Sequence, residues 1–440
     1  MVRMGRTKRK RARNNQHQTH SLDNDASAVG LRQLLKQFDF TDHLKLKLYS
    51  YPTTGRGVTS KKPLKPSDVL IKIPFGLLIS FDTIATSELI DALKKDIALN
   101  IQTLLSLFMV MERHKDVKSP WKRYIDSLPN EEPILPWTCS EEEIYCYPEH
   151  LRTIAQVLHE NFNECFEKAK MSLSRTVLCV CCGQPLADYL LNFDSFKWGY
   201  VLVNTRAVYI DPQCLIYYDN PSFLEDEPAL ALCPFLDLFN HHFEARTKAD
   251  VVPEEGKLYY QLTTLTGFKR YEQIFISYGA HNNEKLLMEY GFFIPGNLFD
   301  FVRFNFDELL DILKVSVSQK HYKSVKKYEF DDDDLYINHN GASFGLKAIL
   351  FVVLFPKVLN HVSYVFSNKY PNDFEQVLVN NVRTLLNFKL NIYKNDVENY
   401  NNHRKFKQSC GIDVVIEFLN YRVKYVDGLL KLLDENKLCF

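Results

Sequence analysis

Apolar residues do not recur with a single period along this chain. Over residues 31–40 they fall at helical spacing, which predicts a short amphipathic helix. The pattern then tightens. Residues 55–58, Val69–Pro74 and 77–80 are short aliphatic runs cut by glycine and proline, the signature of small strands. Between about Ile84 and Phe196 the period becomes helical, carried by Ile101, Leu104, Leu105, Phe108 and Met109 and again by Leu151, Ile154, Val157 and Leu158. Strand-like segments return at residues 207–210, 258–265 and 273–278. Beyond Asp300 helix resumes, with Leu309, Leu310, Ile312, Leu313 and Val317 at helical spacing. The order is strands, helical insert, strands, helical tail. It lacks regular βαβ alternation and predicts an α+β fold rather than a doubly wound sheet.

Composition narrows the class only slightly. Of the 440 residues, 46% are hydrophobic and 25% charged, enough apolar material for a large core without staples or metals. Fifty-four basic residues balance 54 acidic ones, so whole-chain charge identifies no polyanionic partner. The distribution is uneven. Arg3, Arg6, Lys8, Arg9, Lys10, Arg11 and Arg13 crowd the start, leaving 47 basic against 54 acidic residues in the remainder. Residues 1–28 therefore read as a disordered basic tail, either a nuclear-import or nucleic-acid-contacting segment or a solvated terminus. The first 30 residues have no apolar core of a secretory signal. The longest uncharged apolar stretch, near 348–356, is far short of the roughly 20 residues of a bilayer span. Ten cysteines are too few for a disulfide scaffold of this size. A soluble intracellular protein is expected.

Several familiar motifs are missing or incomplete. Gly55-x-Gly57 has no third glycine and opens no long helix, and there is no GxxxxGK[ST] loop, HExxH or G-x-S-x-G elbow. The acidic run Asp331-Asp332-Asp333-Asp334 lacks the spaced ligands of an EF-hand and reads as a solvated loop. Cys179-Val180-Cys181-Cys182 resembles half of a zinc site. Cys139, Cys146 and Cys165 are not spaced as a second pair, so buried free thiols are expected and no metal.

Four scattered segments carry the functional reading. They are Thr54-Gly55-Arg56-Gly57-Val58, Asn204-Thr205-Arg206-Ala207, Pro234-Phe235-Leu236-Asp237-Leu238-Phe239-Asn240-His241, and Ile276-Ser277-Tyr278-Gly279 followed by Glu289-Tyr290-Gly291-Phe292. Taken singly, Tyr278 and Tyr290 would be core tyrosines, Asn240-His241 a turn, and Arg206 a surface ion pair. Their combined order resembles the SET-domain protein-lysine methyltransferases, in the subclass of Rubisco large-subunit methyltransferase. The line Ser119-Pro120-Trp121-Lys122-Arg123-Tyr124-Ile125-Asp126-Ser127-Leu128-Pro129 looks like a signature of that subclass. The resemblance is good from residue 31 to roughly 300 and loose beyond.

The resemblance implies a SET domain over 29–300, made of small curled sheets with a pseudoknot and split by a helical insert at about 84–196. An all-α substrate-binding domain is implied for 301–440. It implies S-adenosylmethionine as co-substrate. Tyr278 would be catalytic, its hydroxyl near the transferring methyl. Thr54, Arg56, Gly57, Thr205, Arg206, Asp237, Asn240, His241 and Tyr278 would surround the donor, with Arg206 receiving its carboxylate, Asn240 and His241 its adenine and amino groups, and the turn at Gly57 approaching it closely. Tyr290 and Phe292 would line the lysine's path. Thr205 stands where the subclass often has serine. The cysteine-rich zinc segment that follows the tyrosine in many histone-directed SET domains is absent, since no cysteine lies between Cys233 and Cys410.

The chemistry is consistent with such a site. Methyl transfer is an in-line displacement, so an enzyme mainly positions the partners and excludes water. The acceptor lysine must be neutral, which at pH 7 costs roughly 4.6 kcal/mol from its reference pKa of about 10.4. A desolvated aromatic channel offsets part of that cost, and ring faces attract an ammonium. Two alternatives remain. A relative in the subclass methylates a histidine in actin, although the tyrosine matching Tyr290 is replaced there. A catalytically silent binding module would be expected to lose at least one of Arg206, Asn240, His241 and Tyr278. The acidic body suits a lysine-rich protein substrate, histone or other. A monomer in nucleus and cytoplasm is expected, with no membrane partner and no nucleic-acid contact beyond the tail.

Overall fold

In the first of two compact units, strand pairing is organised by a hairpin with a glycine at its tip. The structure is a computed structural model describing residues 19–38, 40, 44–129, 133–217, 221–318, 334–355, 367, 373–404 and 410–438. The basic cluster at the N-terminus and Asp331, Asp332 and Asp333 lie outside the described residues. The chain divides into one unit of Met1–Pro133 with Val157–Gly279 and another of Ile134–Gln156 with Ala280–Phe440. The division falls at Gly279, and residues 134–156, from within the helical insert, belong to the second unit.

The strands of the first unit are His20–Ser21 (β1), Lys47–Tyr51 (β2), Gly55–Thr59 (β3), Val69–Pro74 (β4), Ala207–Tyr209 (β5), Leu230–Leu232 (β6), Asn240–His241 (β7), Thr247–Glu254 (β8), Lys257–Thr264 (β9) and Gln273–Ile276 (β10). They form small sheets in the orders β1-β2-β3-β10-β7, β4-β9-β8 and β5-β6. The β2–β3 turn closes on Gly55 at φ +68°, a left-handed value that glycine adopts without a Cβ clash. β10 runs antiparallel to β3, pairing Ile274 with Val58. It runs parallel to β7, pairing Phe275 with Asn240 and Ile276 with His241.

The insert helix Ile101–Lys115 is buried on nearly every side, with Leu104, Leu105, Leu107, Met109 and Met111 all fully inaccessible. It packs against Phe193–Arg206. The crossing is close because Gly199 lacks a side chain: a Cβ there would stand 2.7 Å from the Ser106 carbonyl oxygen. This packing fixes the helix that ends on Arg206, so core burial and site position are linked.

Several expectations are corrected. Residues 77–80 are not a strand; a 3-10 turn at Phe75–Leu77 leads to a single bridge between Ile79 and Leu232, and Ser80 then caps the helix Phe81–Ala85. The first helix starts at Ala26, not near Leu31, because the Asp25 carboxylate accepts from the Ser27 and Ala28 N–H groups. β1 and the start of this helix therefore lie inside the stretch expected to be a disordered tail. Val317 lies outside its expected helix, which runs Phe306–Leu313 and stops where Lys314 takes a left-handed φ of +53°.

In the second unit, the stretch expected to be all-α is mostly helical but also holds a small antiparallel sheet of Val302–Arg303 (β11), Tyr336–Asn338 (β12) and Gly341–Ala342 (β13). Around it stand the helices Phe344–Leu354, Phe374–Arg404 and Cys410–Asp434, whose apolar faces share one core that includes Phe304, Leu346, Phe351, Leu385 and Val426. A fully buried cation crosses that core. Arg422 donates through Nη1 to the Asp300 carboxylate at 3.3 Å and the Phe301 carbonyl at 3.0 Å, and through Nη2 to the Tyr393 hydroxyl at 2.9 Å. Tyr421 completes the set, donating to Asp300 Oδ2 at 2.6 Å. Removing one member of a buried ion pair strands the other, so Arg422→Ala is expected to cost about 3–5 kcal/mol. The check is a lower urea midpoint, together with lost amide-exchange protection around Asp300; an unaltered midpoint would refute the account.

Candidate functional site

Arg206 is the last residue of Phe193–Arg206, where the helix dipole favours a cation. Its Nη1 donates to the Asp237 carbonyl at 3.0 Å and to Asp237 Oδ2 at 3.3 Å. Tyr124, from the insert, donates its hydroxyl to the same Oδ2 at 3.0 Å. The Asp237 side chain is 2% exposed. Burial pushes its carboxyl up, against the opposing pull of Arg206 and Tyr124. Burial and the adjacent carboxylate hold the Tyr124 phenol well above its ordinary value, so it stays a neutral donor.

A second group forms along β3, β10 and β7. Asn240 donates through Nδ2 to the Arg56 carbonyl at 2.8 Å. The Tyr278 N–H donates to His241 Nδ1 at 3.0 Å, which keeps that nitrogen unprotonated and puts the proton of a neutral imidazole on Nε2. The His241 and Tyr278 rings stack with centroids 5.2 Å apart. The Tyr278 hydroxyl donates to the Phe239 carbonyl at 2.7 Å, one residue before Asn240. Parallel pairing of β7 with β10 therefore brings together two residues whose positions differ by 37.

The expected residues do not all behave alike. Arg206 and Asp237 form one pair, and Asn240, His241 and Tyr278 converge. Thr54 donates to Gln273 Oε1 at 3.0 Å. The Arg56 guanidinium turns to the insert, donating to the Ser127 and Leu128 carbonyls at 2.5 and 3.4 Å, so only its backbone joins the group around Asn240. The Thr205 hydroxyl is spent on its own helix, bonding the Val201 carbonyl at 2.8 Å. The space above Gly57 is taken by protein: a Cβ would stand 2.4 Å from Gln273 Nε2 and 3.1 Å from Asn240 Nδ2. Close approach at that glycine thus serves two amide side chains.

Tyr290 and Phe292 belong to the second unit. Their ring centroids are 6.3 Å apart, and Tyr290 stacks on His281 at 5.9 Å. Burial, with the Glu289 charge, pushes the Tyr290 phenol up to about 12. The segment is anchored by Asn283, whose side chain accepts from the Ile294 N–H at 3.0 Å and donates to the Ile294 carbonyl at 2.9 Å.

Sequence reasoning missed Tyr124 and Gln273 as members of the site. Tyr124 lies within the segment 119–129, but only the fold reveals that its hydroxyl reaches Asp237. Of the cysteine cluster, only Cys179 is buried; Cys181 is half-buried and Cys182 exposed.

A sequence profile of the SET domain matches residues 55–279. The chain is 32% identical over 335 residues to SET domain-containing protein 4 of Mus musculus, covering 73% of this chain and 71% of that protein. It is 26% identical over 258 residues to an actin-histidine N-methyltransferase of Xenopus tropicalis, covering 58% of this chain and 42% of that protein. The crystal structure of the SET domain of LSMT bound to lysine and AdoHcy superposes with a TM-score of 0.59 at 18% identity, covering 93% of this chain and 91% of that one. That likeness shows the shared fold.

Gly57→Ala is expected to lower stability by about 1–3 kcal/mol, because the Gln273 and Asn240 amides must both give way. Denaturant titration of the variant checks this; a wild-type midpoint would mean that the amides relax freely.

Proposed function

The chain belongs to the SET-domain family of S-adenosylmethionine-dependent methyltransferases, and on that premise we propose that it is a protein-lysine N-methyltransferase acting on histone or non-histone proteins. The observation that carries the reading is the convergence of Asn240, His241 and Tyr278 on paired strands, in the same unit as the Arg206–Asp237 pair.

The residues fit the donor. Both Arg206 bonds to Asp237 use Nη1, leaving Nη2 and Nε without a hydrogen-bond partner among the described residues, a guanidinium edge suited to a carboxylate. Gln273 Nε2 and Asp237 Oδ1 are buried and likewise unpartnered among the described residues. Arg206 is assigned the donor's carboxylate, and Asn240 and His241 its amino group and adenine. Thr54, Arg56, Gly57, Thr205 and Asp237 are assigned to the wall and support of that pocket. Bound there, S-adenosylmethionine supplies an electrophilic methyl on a sulfonium.

Tyr278 is assigned the alignment of the incoming amine. Its phenolic proton is committed to the Phe239 carbonyl, which fixes the orientation of the oxygen's lone pairs. Tyr290 and Phe292 are assigned to the substrate side chain. A phenol pushed up to about 12 stays protonated through the neutral range, and its oxygen can accept from an N–H of the neutral amine, leaving the amine's lone pair free to attack. Their partly buried rings disfavour an ammonium by desolvation, which lowers the cost of deprotonating lysine.

The acidic excess outside the basic cluster at the N-terminus suits a lysine-rich substrate, and that cluster suits a nuclear as well as a cytoplasmic location. Action as a monomer is proposed with these. No helix among the described residues is long and apolar enough to cross a membrane.

The test is transfer of labelled methyl from S-adenosylmethionine to core histones or cell-extract proteins, with Tyr278→Phe beside wild type. Label on lysine that falls at least about tenfold in the variant, equivalent to about 1.4 kcal/mol of barrier, is the expected result. Label on histidine would move this chain to the activity named for the Xenopus relative. Donor binding without transfer to any protein would leave a binding module.

A further inference from the structure

Four side chains of types that can ligate a metal, none of them used in the methyl-transfer reading, meet in the first unit. His114 lies in the last turn of Ile101–Lys115. Cys179, Cys181 and Cys182 lie in the loop that precedes the helix Leu186–Leu190. One ligand atom from each lies within 4.8 Å of all the others. Cys179 Sγ is 3.0 Å from Cys181 Sγ, and His114 Nε2 is 3.2 Å from Cys181 Sγ and 3.5 Å from Cys182 Sγ. We propose that His114, Cys179, Cys181 and Cys182 form a structural Cys3His zinc site.

Three features of the loop support this. Cys179 and Cys182 have the C-x-x-C spacing, and Gly183 follows at φ +71°. The Gly183 N–H donates to the Cys179 carbonyl at 2.8 Å, and the Cys179 N–H to the Gln184 carbonyl at 2.8 Å, so the backbone wraps tightly around the thiols. The Cys181 N–H points at Cys179 Sγ at 3.4 Å, a donor that favours the thiolate. The histidine is also oriented, since its ring stacks on Tyr189 at 3.6 Å.

The separations suit a metal better than the alternatives. A disulfide would need about 2.05 Å between sulfurs, and all three cysteines are free. Zinc with bonds of about 2.3 Å to sulfur and 2.0–2.1 Å to nitrogen places tetrahedral ligand atoms roughly 3.5–3.8 Å apart. The observed spread of 3.0–4.8 Å brackets that range. On binding, each thiol loses its proton to solvent, and neutral His114 coordinates through Nε2. Four protein ligands close the coordination sphere, so the ion would be structural, outside a methyl transfer that calls on no metal. It would tie the buried insert helix to the loop 173–185. The fourth ligand comes from His114 on that helix, not from a second cysteine pair.

The test is zinc content by mass spectrometry on full-length protein purified without a histidine tag, for wild type and the His114→Ala and Cys182→Ser variants. About one zinc per chain in wild type, falling at least about fivefold in each variant, is expected. Independently of how the variants fold, cobalt added to wild-type protein stripped of zinc should give thiolate-to-cobalt charge-transfer absorption with the d–d bands of a tetrahedral ion. Wild type without zinc and without those bands would overturn the proposal. Equal zinc in wild type and both variants would also overturn it, since the ion would then sit elsewhere.

Discussion

The site depends on the backbone pairing of β10 with the two-residue strand β7. So short a strand has little persistence of its own and exists as an edge of something larger. That larger element is the hairpin of β2 and β3, which holds the other side of β10 through Gln273–Thr59 and Ile274–Val58. Ile274 and Ile276 of β10 are buried, so sliding that strand by one residue would turn both away from the core. The meeting of His241 with Tyr278 is therefore a property of sheet register. Local loop sequence does not have to create it.

A second constraint operates just upstream. Phe235 holds φ +79°, a region that a bulky residue rarely occupies and that costs about 1–3 kcal/mol. Its ring is nearly inaccessible and packs against Phe40 and Phe239, which keeps the turn in place. The turn starts Leu236–Leu238 and delivers the Asp237 carboxylate to Arg206 and Tyr124. Aromatic packing thus supports a strained backbone that in turn seats a buried acid.

Much of this was legible before any coordinates. The runs that became β3, β4, β5, β9 and β10 carry their own period, and the long insert helices carry theirs. The four segments around Gly57, Arg206, Asn240 and Tyr278 identified the family because their order and residue types are jointly specific. What stayed hidden was mostly non-local. β7 is too short to have a period. Tyr124 reaches Asp237 only through the insert's fold. The exposed Cys182 and half-buried Cys181 gain a histidine neighbour through the helix Ile101–Lys115, which no cysteine spacing encodes. The early start of the first helix was missed because Asp25, a polar cap, decides it, while the apolar stripe of Leu31, Leu34 and Leu35 begins later.

The Asp300–Arg422 contact has a bearing on where this protein can be cut. Asp300 also accepts from the Asn283 side chain, and Asn283 in turn grips Ile294 on the far side of Tyr290 and Phe292. A product ending before the last helix would leave an acid in an oily interior with its counter-ion gone. The loosening would spread back along the chain to the two aromatic residues. Premature termination near the C-terminus should therefore harm the second unit well upstream of the missing piece.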